Sequence, residues 1–179
     1  ASGAPYEGHW AYRPLVRPLP PAAGPAIDAF IARELADEGI EPVGAADRAT
    51  LARRVSLDLT GLPPEPAEID AFLTDPSQEA YELYVDRLLA SPAHAERMAA
   101  WWLDLVRYAD SVGYHGDQEV TVWPYRDWVI RAFAENMPFD RFTREQRAGD
   151  LLPGNTLDQR VAAAYNRLGM MSAEGGAQA

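Results

Sequence analysis

The densest group of side chains that could do chemistry lies between residues 104 and 127. It combines carboxylates, guanidinium groups and phenols: Asp104, Arg107, Tyr108, Asp110, Tyr114, Asp117, Glu119, Arg126 and Asp127. Paired carboxylates serve as general acid and general base in hydrolytic enzymes. One hypothesis is therefore an enzyme domain that hydrolyses polysaccharide or a sulfated substrate. Its acid and base would be two of four aspartates: Asp104, Asp110, Asp117 and Asp127.

The same charges also fit a structural role. On one continuous helix Asp104, Arg107 and Tyr108 are three and four residues apart and share a face. An unpaired buried ion is costly, so we expect Arg107 to pair with Asp104 or Asp127 and to join the long helix to the next one. This interpretation predicts a structural ion-pair cluster of five residues: Asp104, Arg107, Asp110, Arg126 and Asp127.

Metal chemistry has weaker support in the sequence. Asp110, Asp117 and Glu119 lie on a predicted loop and are candidate ligands for Ca²⁺, which takes about six to eight oxygen donors. Their spacing does not match an EF-hand. The histidines stand in three unrelated segments and never in a pair with zinc-ligand spacing: His9, His94 and His115. Calcium therefore stays open as a cofactor, whereas no zinc site is predicted.

The sequence contains no Cys, which excludes several classes of site. Disulfides, thiolate metal centres, cysteine nucleophiles and the C-x-x-C-H haem-attachment motif all need sulfur. Haem is therefore expected only on a partner chain. A formal net charge of -11 opposes binding to phosphate backbones, so nucleic acid is not an expected partner. No stretch approaches the roughly 20 apolar residues of a membrane-spanning helix, so no transmembrane segment is predicted.

The spacing of apolar residues predicts an all-α fold. Residues 1-25 contain five prolines after residue 13 and should form an extended Pro-rich arm. Residues 26-168 show repeated helical periodicity and predict an irregular bundle of about seven or eight helices around one central helix, at about 92-110. Residues 169-179 form a Gly-rich tail. Asp47, Ser91, Asp140 and Thr156 are predicted helix caps.

Several segments together resemble a known family. The matching pieces are HWAYRPL (9-15), ADRATLARRVSLDLTGLPP (46-64), YVDRLLASPAHAERMAAWWLDLVRYADSVGY (84-114), YRDWVIRAFAENMPFDRFTREQRAGDLLP (125-153) and NRLGMMSAEGG (166-176). In order and spacing they resemble the uncharacterised second domain of planctomycete-type surface cytochrome c proteins. The resemblance implies an exported, periplasmic or cell-surface protein. Most family members continue past the EGG segment into a haem-attachment motif. We therefore expect this chain either to be truncated before that motif or to come from a lineage that kept the helical scaffold and lost the haem segment.

The leading hypothesis that follows is a non-catalytic scaffold or accessory subunit. It would dock to a cytochrome c-type protein or to a subunit of a membrane-bound redox complex. The enzyme domain and a Ca²⁺-stabilised binding module are the alternatives. The arm, the 111-124 loop and the tail are the expected docking segments. The candidate docking side chains are aromatic or imidazole groups: His9, Trp10, Tyr12, Tyr114, His115 and Trp123.

Overall fold

The computed structural model describes residues 8-77, 79-112 and 117-169. In these residues it contains eight α-helices and three short 3₁₀ turns, and its only bridge between extended segments joins Ser111 to Glu119. The all-α prediction is therefore confirmed. The helices are α1 (Ala26–Asp37), α2 (Arg48–Thr60), α3 (Pro66–Thr74), α4 (Ala80–Leu89), α5 (Pro92–Leu105), α6 (Trp123–Ala134), α7 (Phe139–Ala148) and α8 (Leu157–Ala162). The 3₁₀ turns are Trp10–Tyr12, Gly149–Leu151 and Ala163–Arg167.

The chain divides into two compact units, residues 1-45 and 46-179. Helix α1 belongs to the N-terminal unit. The predicted boundaries after residues 25 and 168 stay predictions, and residues 170-179 of the predicted tail lie outside the described residues. Residues 13-25 form neither helix nor strand, which agrees with their prolines. The extended arm itself stays a prediction, since residues 1-7 lie outside the described residues.

The second unit has two clusters of buried side chains. One lies between α2, α3 and α4 and is formed by Ala52, Phe72, Ala80, Tyr84 and Leu88. The other is formed mainly by α5, α6, α7 and α8 and contains Ala99, Tyr125, Trp128, Val129, Ala132, Phe142 and Ala162. Helix α5 contacts α2 and α4 as well as α6, so it connects the two clusters.

Helix α5 begins where the central helix was predicted to begin, but much of its apolar surface is exposed. Only Ala95 and Ala99 of α5 are fully buried, and Trp101 and Leu105 are 56% and 72% exposed. A helix at the centre of a bundle is normally covered on more than one face. The side of α5 that carries Trp101 and Leu105 is therefore largely exposed.

Helix α5 also ends earlier than predicted, at Leu105 instead of about residue 110. Arg107 adopts the left-handed conformation, with φ of 60°. Its N–H bonds to the Asp104 carbonyl, and the N–H of Tyr108 bonds to the Leu103 carbonyl. This pair of bonds is the Schellman motif, in which the left-handed position is usually glycine. The expectation that Asp104, Arg107 and Tyr108 share one helical face is therefore wrong.

Three of the predicted caps are confirmed. Backbone N–H groups donate to the side chains of Asp47, Ser91 and Thr156, and Thr156 forms a full capping box with Gln159. The fourth prediction is wrong, because α7 begins directly after Pro138 and places Asp140 in its first turn. A proline fixes its own φ and limits the conformation of the residue before it, so it can define a helix start without a side-chain cap.

Candidate functional site

The structure brings together part of the predicted ion-pair cluster, where the end of α5 approaches α6. The Tyr108 hydroxyl donates to Asp110 Oδ1 at 2.6 Å, and Arg126 Nη2 lies 3.0 Å from Asp127 Oδ1. Asp127 therefore pairs with its neighbour Arg126 and not with Arg107. In the part of the chain that is described, neither Asp104 nor Arg107 forms an ion pair. The early end of α5 explains this, because it turns Arg107 away from the helical face.

The electrostatics of this cluster keep the Tyr108 phenol protonated. Burial, together with the hydrogen bond to Asp110, raises the pKa of Tyr108 to about 12. The Tyr108 ring also stacks on Tyr125, with centroids 6.5 Å apart. The hydrogen bond with Asp127 raises the pKa of Arg126. Both partners of that ion pair are about 40% exposed, so it contributes little to stability.

The candidate calcium ligands lie on a segment that folds back on itself. The N–H of Val120 bonds to the Asp110 carbonyl, and the N–H of Val112 bonds to the Gln118 carbonyl. Within residues 8-77, 79-112 and 117-169, no three His, Asp or Glu side chains converge as a metal site would require. Asp110, Asp117 and Glu119 are thus not brought together there, and a role in calcium binding stays a prediction.

The predicted docking side chains are found on the surface where they are described. His9 is exposed, Tyr12 is 86% exposed and Trp123 is 51% exposed. Trp10 lies in the first 3₁₀ turn, and its side chain is outside the described part of the chain. Two further candidates lie outside the described residues, Tyr114 and His115. The docking role of all six stays a prediction.

The N-terminal unit has a feature that the helical periodicity did not predict. Of the residues described between 8 and 45, none is buried, and α1 contains no buried side chain. Eight large apolar side chains there are more than half exposed: Tyr12, Leu15, Val16, Leu19, Ile27, Ile31, Ile40 and Val43. We call this set the N-terminal apolar surface. Helical periodicity assigns the apolar stripe of α1 to a core, whereas the N-terminal unit by itself does not bury it.

A buried polar network in the second unit is also absent from the sequence-based predictions. Gln146 Oε1 accepts hydrogen bonds from the Tyr125 hydroxyl at 2.6 Å and from Trp102 Nε1 at 3.0 Å. Gln146 Nε2 donates to the Phe142 carbonyl at 3.1 Å. Gln146 and Tyr125 are 2% and 1% exposed. A sequence signal existed, because Gln146 follows the core residue Phe142 by four positions and must share its face.

Glu145 is the other buried polar side chain of α7, at 3% exposure. Its Oε1 lies 2.9 Å from Arg141 Nε and 3.2 Å from Gln159 Nε2. It borders a cavity of about 250 Å³ on one side of α6. None of the four aspartates proposed as acid and base lines this cavity. Through its bond from Gln159, Glu145 joins α7 to α8.

No helix in the described residues is both long enough and apolar enough to cross a membrane.

Comparisons with known proteins identify a family but no individual relative. Neither the curated proteins nor the solved structures include a match to this chain. One family model matches residues 26-179, nearly the whole helical sequence. The chain therefore belongs to the PSCyt2 family, a cytochrome-associated domain family described as "Protein of unknown function (DUF1549)".

Proposed function

We propose that this chain is a non-catalytic docking subunit of an extracytoplasmic electron-transfer assembly, at the periplasmic or cell-surface side. Its partner would be a chain that carries covalent c-type haem. The N-terminal apolar surface is the observation that carries the proposal, and membership of a cytochrome-associated family supports the choice of partner. The haem would belong to the partner, since this sequence has no cysteine to attach one.

The apolar surface is more than the scattered exposure that any protein shows. Ile27 and Ile31 are four residues apart on α1, so they lie next to each other on one side, at 76% and 55% exposure. Contiguous exposed apolar residues mark interaction sites more often than isolated ones do. Full burial of an isoleucine contributes about 1.5–3 kcal/mol. Two such side chains could therefore supply a large part of the free energy of a specific interface.

Charge would assist the encounter with such a partner. The chain has 27 acidic and 16 basic side chains, and all 16 are arginine. An excess of negative charge attracts a partner with a basic surface and raises the association rate at low ionic strength. The proposal therefore includes a basic docking face on the haem protein.

Site-specific crosslinking tests the proposal. Because the sequence contains no lysine, amine-directed crosslinkers would miss the surface, so a photoreactive amino acid is placed at position 31. The matched control places it at Ala36, which is exposed and about half a turn away around the same helix. After irradiation of intact source cells, adducts are separated and stained for haem-dependent peroxidase activity.

We expect a haem-positive adduct from position 31 and much less from position 36. Adducts without haem at position 31, or equal yields at both positions, would contradict the proposal. The haem protein identified in this way then allows a binding measurement. Ile27→Asp with Ile31→Asp should weaken binding by at least about thirtyfold, from the loss of about 2 kcal/mol or more. Ala36→Asp should change it little, and circular dichroism should show the same helix content in all three proteins.

A further inference from the structure

A second site lies elsewhere in the molecule, in a cavity of about 230 Å³ between the end of α5 and the last 3₁₀ turn. Its basic lining residues are Arg107 and Arg167, and its apolar walls include Val112, Val120, Val122 and Leu168. We call it the arginine cavity. We propose that it binds a small organic carboxylate with a ring-sized apolar body. This inference does not depend on the docking function.

The charge of the cavity is the first argument. Acidic side chains outnumber arginines by 27 to 16, yet neither Arg107 nor Arg167 forms an ion pair in the described part of the chain. No Asp or Glu is among the described residues that line the cavity. Both arginines are exposed, so their guanidinium groups are accessible to an anion that enters the cavity. A guanidinium group matches the geometry of a carboxylate with two parallel hydrogen bonds.

The backbone of Arg107 is the second argument. Helices α1 and α6 end with the same Schellman hydrogen bonds, and their left-handed positions are occupied by Gly39 and Asn136. These are the residue types that tolerate this conformation best. Arginine at the corresponding position of α5 costs about 1–2 kcal/mol relative to glycine. Strained residues of this kind concentrate at functional sites, so the Arg107 side chain has a use that offsets the cost.

The size and walls of the cavity select the kind of anion. A cavity of about 150 Å³ in another protein accommodates benzene, so 230 Å³ leaves room for a ring with a carboxylate attached. Ser111 and Thr121 also line the cavity, but its four large apolar side chains would cover an apolar ring and would not replace the water around a strongly hydrated inorganic anion. Benzoate is therefore a suitable probe.

Titration calorimetry of the whole chain tests the assignment. The probe is benzoate, with the uncharged amide benzamide and inorganic phosphate as comparisons. Three variants accompany the unmodified protein: Arg107→Gly, Arg167→Gln and, as a control with the same loss of charge, Arg54→Gln. Arg54 is exposed on α2 and does not line the arginine cavity.

We expect benzoate to bind, benzamide not to bind, and phosphate to bind more weakly than benzoate. Arg107→Gly and Arg167→Gln should each weaken benzoate binding at least about tenfold, as expected for loss of a charged hydrogen bond, and Arg54→Gln should not. Arg107→Gly should keep or raise the melting temperature, because glycine suits the left-handed position. No benzoate binding, equal binding of phosphate, or equal loss in the Arg54→Gln control would overturn the proposal.

Discussion

Replacement of Gln146 by leucine offers a sharp test of how α5, α6 and α7 are held together. Leucine is close to glutamine in size, so the change leaves little cavity. It removes the acceptor of the Tyr125 hydroxyl and of Trp102 Nε1. The two donors would remain 3.1 Å apart, where the indole N–H can still donate to the phenol oxygen. The phenol proton itself would have no acceptor.

The cost can be estimated from the burial of the network. Tyr125 is 1% exposed, and burial raises its pKa to about 12. The phenol therefore keeps its proton at neutral pH, and that proton needs an acceptor. A buried donor without a partner costs about 1–3 kcal/mol. The lost bond of the partly buried Trp102 adds about 1 kcal/mol. We therefore expect Gln146→Leu to lower the free energy of unfolding by about 3 kcal/mol, which corresponds to about 6–12 °C in melting temperature.

Urea denaturation of a double-mutant cycle measures this effect. Tyr125→Phe alone should cost about 1–2 kcal/mol, since Gln146 keeps its bond from Trp102. In Gln146→Leu with Tyr125→Phe the orphaned hydroxyl is absent, whereas Trp102 Nε1 loses both of its acceptors. Because Trp102 is only partly buried, this second loss is the smaller one. The cost of the double variant should therefore be about 1 kcal/mol less than the sum of the two single costs. A cost below about 0.5 kcal/mol for Gln146→Leu, or additive single effects, would refute the reasoning.

Two further predictions concern backbone space and helix capping. Gly149→Ala should destabilise the protein by about 3 kcal/mol, because the added Cβ would lie 2.0 Å from the Gln159 carbonyl oxygen. Gly154→Ala is its control, because this position has open space and a φ of 66°, so only about 1 kcal/mol of backbone strain is expected. Urea unfolding measures both variants, and an equal loss of unfolding free energy in the two would contradict this reasoning. Hydrogen bonds from Thr50 lower the pKa of Asp47 in the folded state below its ordinary value of 3.8. The ionised carboxylate therefore stabilises the fold at pH values above 3.8. This contribution is lost as the pH falls through the pKa that Asp47 has in the folded state. The stability difference between the unmodified protein and Asp47→Ala should therefore be constant near neutral pH and narrow below 3.8, and a difference independent of pH would exclude this account.

Local interactions could be predicted from the sequence because they involve residues close together in the chain. The helical spacing of apolar residues, the caps at Asp47, Ser91 and Thr156, and the all-α class belong to this group. The lack of cysteine is a property of composition alone: no residue of this sequence offers a thiol for a disulfide, a thiolate metal centre or a C-x-x-C-H haem motif. The helix and cap predictions needed only side-chain type and spacing within about one or two helical turns.

Tertiary structure alone decided which surfaces are covered and which charges meet. The periodicity of α1 predicts an apolar stripe but says nothing about whether another element covers it, and Ile27 stays 76% exposed. Arg107 was expected on a helical face, and its left-handed conformation placed it at a cavity with Arg167, sixty positions later in the chain. Gln146 finds its partners on two other helices. Such contacts depend on how segments far apart in the sequence pack against each other. The spacing of residues within one helix carries no information about that packing.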